Sequence, residues 1–174
     1  MNPTLNQLQR EIASSLQGLS AEQTQLRPTT PGKWSIQQII EHLLLTYTGA
    51  ETALNARLTK GRPTQAKPTA LQRMQQLAVC KFGYLPQGRI APDMVTPGPT
   101  VHPLSGEELT AATEDHLAHF DLLCSECESL FGTSQFATHN ALGPLSVEQW
   151  CRFQLMHGRH HLKQIAAIRR THNL

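Results

Sequence analysis

The sequence predicts an all-α fold, a four-helix bundle, on two observations. Three separate segments open with one and the same helix-start grammar and run on as long apolar-periodic stretches. No segment shows the apolar–polar alternation of a strand.

The elements follow in chain order. Leu5, Leu8, Ile12, Leu16 and Leu19 fall on one helical stripe, which predicts a first helix over about residues 3–18. Ser20 and Gln23 are placed to cap a short second piece. Trp34-Ser35-Ile36-Gln37-Gln38-Ile39 then carries a capping box, Ser35 with Gln38, inside a hydrophobic staple, Trp34 with Ile39. Leu104 to Leu109 repeats it with Ser105 and Glu108, and Leu145 to Trp150 with Ser146 and Gln149. In each, the hydroxyl satisfies an orphan backbone N–H and the apolar pair fixes the entry angle. The helices so opened run from Ser35 to Lys60, Ser105 to Phe131 and Ser146 to Arg170. Gly61 suits the end of the first, and Arg169 with Arg170 suit the dipole at the end of the last. A shorter helix is expected over Leu71 to Lys81.

Residues 82–103 break the helical pattern. Pro86, Pro92, Pro97, Pro99 and Pro103 remove donors, and Gly83, Gly88 and Gly98 free the backbone. This is a long Pro-rich crossover between the second and third main helices. An ordered strap over the bundle is the expected arrangement, and a lid over a site is the alternative.

Composition narrows the function. A chain of 174 residues suits one domain, residues 1–174, with a real core. Aromatics are 5% against 39% hydrophobic residues, so aliphatic packing must dominate. A net charge of +2 argues against a nucleic-acid or anionic-membrane partner. No apolar run approaches a membrane span, and the N-terminus lacks the basic-then-apolar pattern of a signal peptide. A soluble, cytoplasmic protein is expected, with its four cysteines reduced. Nine histidines are the anomaly, because histidine is the commonest metal ligand.

His157 and His161 stand four residues apart, so a helix projects both imidazoles from one face. Two neutral imidazoles at that spacing can grip one transition-metal ion. Trp150, His157, His161, Gln164 and Ile168 make a stripe, with Phe153 and Gln154 beside it, partly polar and partly apolar. Buried polar groups need partners, and a metal ion would supply one for the histidines. A third candidate, His42, shares a line with Gln38, Thr46, Gly49 and Ala53, where bulk is missing. Close packing against small residues explains that line equally well. Gln164 and Gln38 are expected to support the ligands from outside, with His160 flanking.

The other candidates weigh less. The motif is His-Gly-Arg-His-His, without the glutamate a zinc protease uses as base. Cys124-Ser-Glu-Cys127 has metal or redox spacing but falls late in a helix, where two buried thiols are the simpler expectation. Cys80 and Cys151 offer no chemical context. His116 is expected as a satisfied interior residue, and His119, His139 and His172 at the surface. His102 lies in the strap.

Lys33-Trp34-Ser35-x6-His42 at the front and His157-x3-His161-x2-Gln164 at the end resemble the DinB-like superfamily of metal-binding four-helix bundles. Gly143-Pro144-Leu145-Ser146-x2-Gln149-Trp150 is similar to one largely uncharacterised branch of it. The resemblance implies that His42, His157 and His161 meet at one end of the bundle and bind a divalent metal, nickel or zinc, in a homodimer. It implies small-molecule chemistry: transfer of a low-molecular-weight thiol, somewhat preferred on this analogy, or metal-assisted hydrolysis. The alternative is a non-catalytic metal-binding or stress-response bundle.

Overall fold

The computed structural model describes residues 1–85 and 91–174; Pro86 and Gly88 of the strap lie outside them. Among the described residues five α-helices form: α1 Pro3–Leu16, α2 Ile36–Lys60, α3 Ala70–Gln76, α4 Gly106–Phe131 and α5 Val147–Thr171. The three expected capping boxes are all made, at Ser35 with Gln38, Ser105 with Glu108 and Ser146 with Gln149. A fourth, Thr69 with Gln72, opens α3. Ser20 and Gln23 bond reciprocally ahead of a short 3-10 turn, Gln23–Gln25. Gly61 ends α2 in the left-handed region, where a side chain would be strained.

Side-chain contacts give the directions. Leu8 meets Gly158, Glu11 meets Arg159 and Ser15 meets Arg169, so α1 and α5 run the same way. The Asn2 backbone N–H donates to Asp121, and that of Gly106 to the Leu19 carbonyl, so α4 opposes α1. Glu51 meets His116, and Gln37 bonds to the Leu104 N–H, so α2 follows α4. The result is a four-helix bundle of α1, α2, α4 and α5. Its core is aliphatic: Leu5, Leu8, Ile12 and Leu16 of α1 are fully buried, as are Ile36, Ile40, Leu43 and Leu54 of α2. No helix among the described residues is long and apolar enough to cross a membrane.

Two expectations need correction, and the helix expected over Leu71 to Lys81 forms with a change of type. A two-stranded antiparallel hairpin precedes α5, β1 Ala137–His139 with β2 Gly143–Leu145, pairing Ala137 with Leu145. Strands of three residues are too short for an alternation to register. The helix expected to Lys81 leaves α geometry at Gln76 and closes as a π turn, Leu77–Lys81, with the Phe82 N–H donating to the Leu77 carbonyl at 3.1 Å. Gln76, beside that change, is buried and donates to the carbonyls of Leu142 and Pro144 at 2.7 and 2.9 Å, tying α3 to the hairpin. Cys151 also has a context: its thiol lies 4.0 Å from that of Cys124, both buried between α4 and α5. Cys124 and Cys127 are buried free thiols, as expected.

The strap is anchored by side chains of α2. Gln37 Nε2 donates to the His102 carbonyl and its Oε1 accepts from the Leu104 N–H, at 3.0 and 2.8 Å. Gln38 Nε2 donates to the Gly98 carbonyl at 2.9 Å. These bonds hold the described part of the crossover against the first turns of α2, as the strap arrangement requires.

Candidate metal centre

The site sits where α2 begins and the second half of α5 passes antiparallel to it. The capping box at Ser35 starts α2, and two turns on it places His42 facing α5. His157 and His161 face back from successive turns of α5. The three Nε2 atoms converge. His157 Nε2 lies 3.3 Å from His42 Nε2 and 3.2 Å from His161 Nε2. All three ligating atoms fall within 4.8 Å of one another.

Two of the rings have their outer nitrogens fixed. His42 Nδ1 is 2.7 Å from the Val95 carbonyl, which can only accept, so the proton sits on Nδ1 and the Nε2 lone pair faces inward. His161 Nδ1 donates to Gln164 Oε1 at 3.2 Å, with the same consequence. Trp34 covers the outside, its ring 4.9 Å from that of His42 and 6.4 Å from that of His161. Phe153 stacks on His157 at 5.4 Å with an interplanar angle of 8°.

Burial holds all three imidazoles neutral near pH 7, because the charged form loses its hydration. It lowers the pKa of His42, takes that of His157 well below the usual range and brings that of His161 down to about 3. Neutral rings at this spacing create a conflict. A proton on His157 Nε2 can bond to one neighbour, but it leaves the other neighbour's lone pair facing a nitrogen with no second proton to give. A cation at the common point satisfies all three.

The distances test the fit. Zn–N bonds of about 2.0–2.1 Å in tetrahedral geometry separate ligand nitrogens by about 3.3–3.4 Å. The two close contacts match that spacing. The donor set, three neutral imidazoles, suits zinc, nickel or copper. One feature stands apart: His157 Nδ1 is buried and has no hydrogen-bond partner among the described residues.

The remaining expected residues distribute as follows. Gln164 is exposed and supports His161, as the sequence suggested. Gln38 touches no ligand; it closes the cap of α2 and holds the strap at Gly98. His160 flanks, its ring 5.1 Å from that of His161. His116 pairs with Glu51 at 3.1 Å, remote from the cluster. His102 is exposed. His139 corrects an expectation: it is half-buried, its ring 4.4 Å from Phe153 and 5.4 Å from Trp150. Its Nδ1 accepts from the N–H groups of Ala141 and Leu142, at 3.1 and 3.2 Å, and burial lowers its pKa to about 4. The hairpin carries it under α5, and a hairpin of this length left no mark in the sequence. Val95 was also missed, since a backbone carbonyl has no residue signature.

A cleft of about 1340 Å³ opens between α1, α5 and residues 82–85. Arg10, Tyr84, Arg159, His160 and Lys163 line it, but His42, His157 and His161 do not.

The family model of the DinB superfamily matches residues 4–165. No curated protein matches the chain. Among solved structures, the chain is similar to YfiT from Bacillus subtilis, described as a probable metal-dependent hydrolase with an unusual four-helix bundle topology. The TM-score is 0.57 at 16% identity, covering 98% of this chain and 84% of that one. At that identity the likeness concerns the fold.

Proposed function

This chain belongs to the DinB superfamily, and on that premise we propose that it is a metal-dependent enzyme of small-molecule chemistry, with His42, His157 and His161 as the ligands of one divalent ion. The observation that carries this is the pair of Nε2 separations, 3.2 and 3.3 Å, among three neutral imidazoles. Three ligands from two helices leave coordination positions open, unlike a closed four-ligand structural site. When bound, such an ion supplies a Lewis acid that makes a nucleophile of water or of a thiol near neutral pH.

The residues around it have distinct tasks. The Val95 carbonyl and Gln164 keep protons on the outer nitrogens of His42 and His161, so that their inner lone pairs stay available. Trp34 and Phe153 wall the cluster with apolar surface and restrict bulk water. No carboxylate joins the three histidines within ligand distance among the described residues, so the general base of a zincin-type site has no counterpart in the cluster.

Hydrolysis is the reaction we favour, supported by the description of YfiT as a probable metal-dependent hydrolase. Transfer of a low-molecular-weight thiol to an electrophile is the second reading, and its support is the sequence resemblance. Zinc and nickel are the metals we propose to test first. Protein purified without a histidine tag is analysed for metals, stripped, and titrated with each. The same loaded samples are then screened against activated esters and amides, and against an electrophile with small thiols. Binding of one equivalent that is lost in His157→Ala supports the site, and turnover in one screen identifies the reaction class. Binding without turnover favours a metal-binding protein that is not an enzyme. No binding overturns the proposal.

A further inference from the structure

His157 differs from its two companions in one respect. His42 and His161 each have an acceptor for the outer nitrogen, whereas His157 Nδ1 has none among the described residues. A buried polar atom without a partner loses its hydration with nothing in return. Among the described residues other side-chain atoms share this condition: Thr100 Oγ1 in the crossover, Trp150 Nε1 earlier in α5, and those of two fully buried side chains, one in α5 and one in α2. Gln154 is 0% exposed, and both its Oε1 and its Nε2 are unpartnered. The hydroxyl of Tyr47, also 0% exposed, is unpartnered too.

In the structure none of these atoms of His157, Gln154 and Tyr47 is in hydrogen-bonding geometry with another, but their places in the two helices bring them to one level of the bundle. Helical side chains lean toward the N-terminus, over the turn that precedes them. The His157 ring does so, since it stacks on Phe153 four residues back. Gln154, three residues back, occupies the neighbouring position on that turn. Tyr47 belongs to the same level. Helices α2 and α5 are antiparallel, with His42 opposite His157 and His161. Five residues onward in α2 therefore correspond to about five residues backward in α5, which brings Tyr47 level with Gln154.

The hydrogen-bonding types are complementary. With Nε2 committed to a metal, His157 Nδ1 carries a proton and needs an acceptor, which Gln154 Oε1 provides. Gln154 Nε2 is a donor, and the Tyr47 hydroxyl can accept from it. An amide is also the neutral side chain that, by turning over, serves Nδ1 whether or not it holds the proton. A rotation about the Gln154 side chain, or one bridging water, closes each gap.

We infer that Gln154 is the positioning residue for His157, bonding to its Nδ1 and held from behind by Tyr47. Gln154 thus stands to His157 as Gln164 stands to His161, with one glutamine lying three residues before its histidine and the other three after. The consequence for metal affinity rests on the ligand assignment proposed above, whereas the contact itself does not.

Two readouts separate these. The first needs no metal: the ¹⁵N resonances of the His157 ring in the stripped protein, compared with Gln154→Met. The Nδ1 resonance moves if its partner is removed and stays if Gln154 only fills the core; an unmoved resonance overturns the inference. The second is metal affinity by competition with a chelator. Gln154→Met lowers it ten- to hundredfold, the range for loss of a ligand's outer partner. Gln154→Glu, which keeps the acceptor, retains it within a few-fold. Equal affinity in Gln154→Met and the parent overturns the inference, whereas failure of the parent to bind metal removes the ligand assignment and leaves the first readout to decide. If Gln154→Met does not fold, Tyr47→Phe takes its place in the ¹⁵N comparison, where the same unmoved Nδ1 resonance counts against the contact.

Discussion

The carbonyl oxygen of Val95 lies 2.7 Å from Nδ1 of His42. This one bond joins the crossover to the cluster. It fixes the tautomer of the ligand candidate that does not come from α5, and it does so with a backbone atom of the short 3-10 turn Asp93–Val95 in the crossover. The segment is in register because Gln37 and Gln38 hold it at His102, Leu104 and Gly98.

Gln37→Ala should therefore act at a distance. The substitution removes the acceptor for the Leu104 N–H and the donor to the His102 carbonyl. Leaving such groups unmatched costs about 1–3 kcal/mol where they are buried. We expect faster hydrogen exchange across residues 93–104 and a loss of metal affinity smaller than that of a ligand deletion. Exchange measured by mass spectrometry, beside a metal titration, checks both. Unchanged exchange in the strap would show that these anchors do not hold it.

Replacing His157 and His161 together by alanine tests the cluster directly. Metal affinity should fall by more than the ten- to hundredfold that loss of an outer partner costs. The fold should persist, since the bundle core is aliphatic and the conflict disappears with the rings. Circular dichroism and elemental analysis on one sample read both outcomes. Retention of one tight equivalent of metal would place the site elsewhere.

The residues differ in how legible they were. Helix starts at Ser35, Ser105 and Ser146 could be read because a capping box lies within four consecutive residues. The pairing of His157 with His161 could be read for the same reason: helix geometry alone puts them on one face. That His42 joins them is a long-range fact, which the spacing left open; its line of small and polar neighbours made it a candidate, and the family resemblance implied the meeting. His139 was misplaced because its burial is created by a hairpin of two three-residue strands. Val95 contributes a carbonyl that any residue would offer. The contact of Cys124 with Cys151 depends on how α4 and α5 are set against each other, which local sequence does not encode.

The buried histidines give the metal-free protein a defined response to acid. Burial lowers the pKa values of His42, His139, His157 and His161, to about 4 for His139 and about 3 for His161. In the unfolded chain these groups titrate near pH 6.5. Between the two values the unfolded state binds more protons, so stability rises with pH there. The contribution is complete above about pH 6.5 and is lost progressively as the pH falls toward the folded values, by at most about 1.4 kcal/mol per pH unit for each group. Urea unfolding in the presence of chelator should give a level midpoint from pH 8 to 7 and a falling one from pH 6.5 to 4.5, a window above most carboxylate titration. His139→Gln should make that fall shallower. A midpoint that stays level down to pH 4.5 would contradict the buried, neutral state of these rings.

Gly158 sits between the two histidines of α5 and faces α1. A Cβ there would run into the Leu8 side chain, which is itself fully buried. Gly158→Ala gains about 1 kcal/mol of helix propensity, yet overpacking of a tight contact costs about 1–3 kcal/mol. The net expectation is loss of stability, with α1 forced outward from the turn that carries the ligand candidates. Leu8→Ala alone should cost about 2–5 kcal/mol through the cavity it leaves. The double variant places the new methyl into that cavity, so its loss should be smaller than the sum of the two single losses. Thermal unfolding of the four proteins gives the coupling. Strict additivity would mean that α1 and α5 do not approach through Gly158.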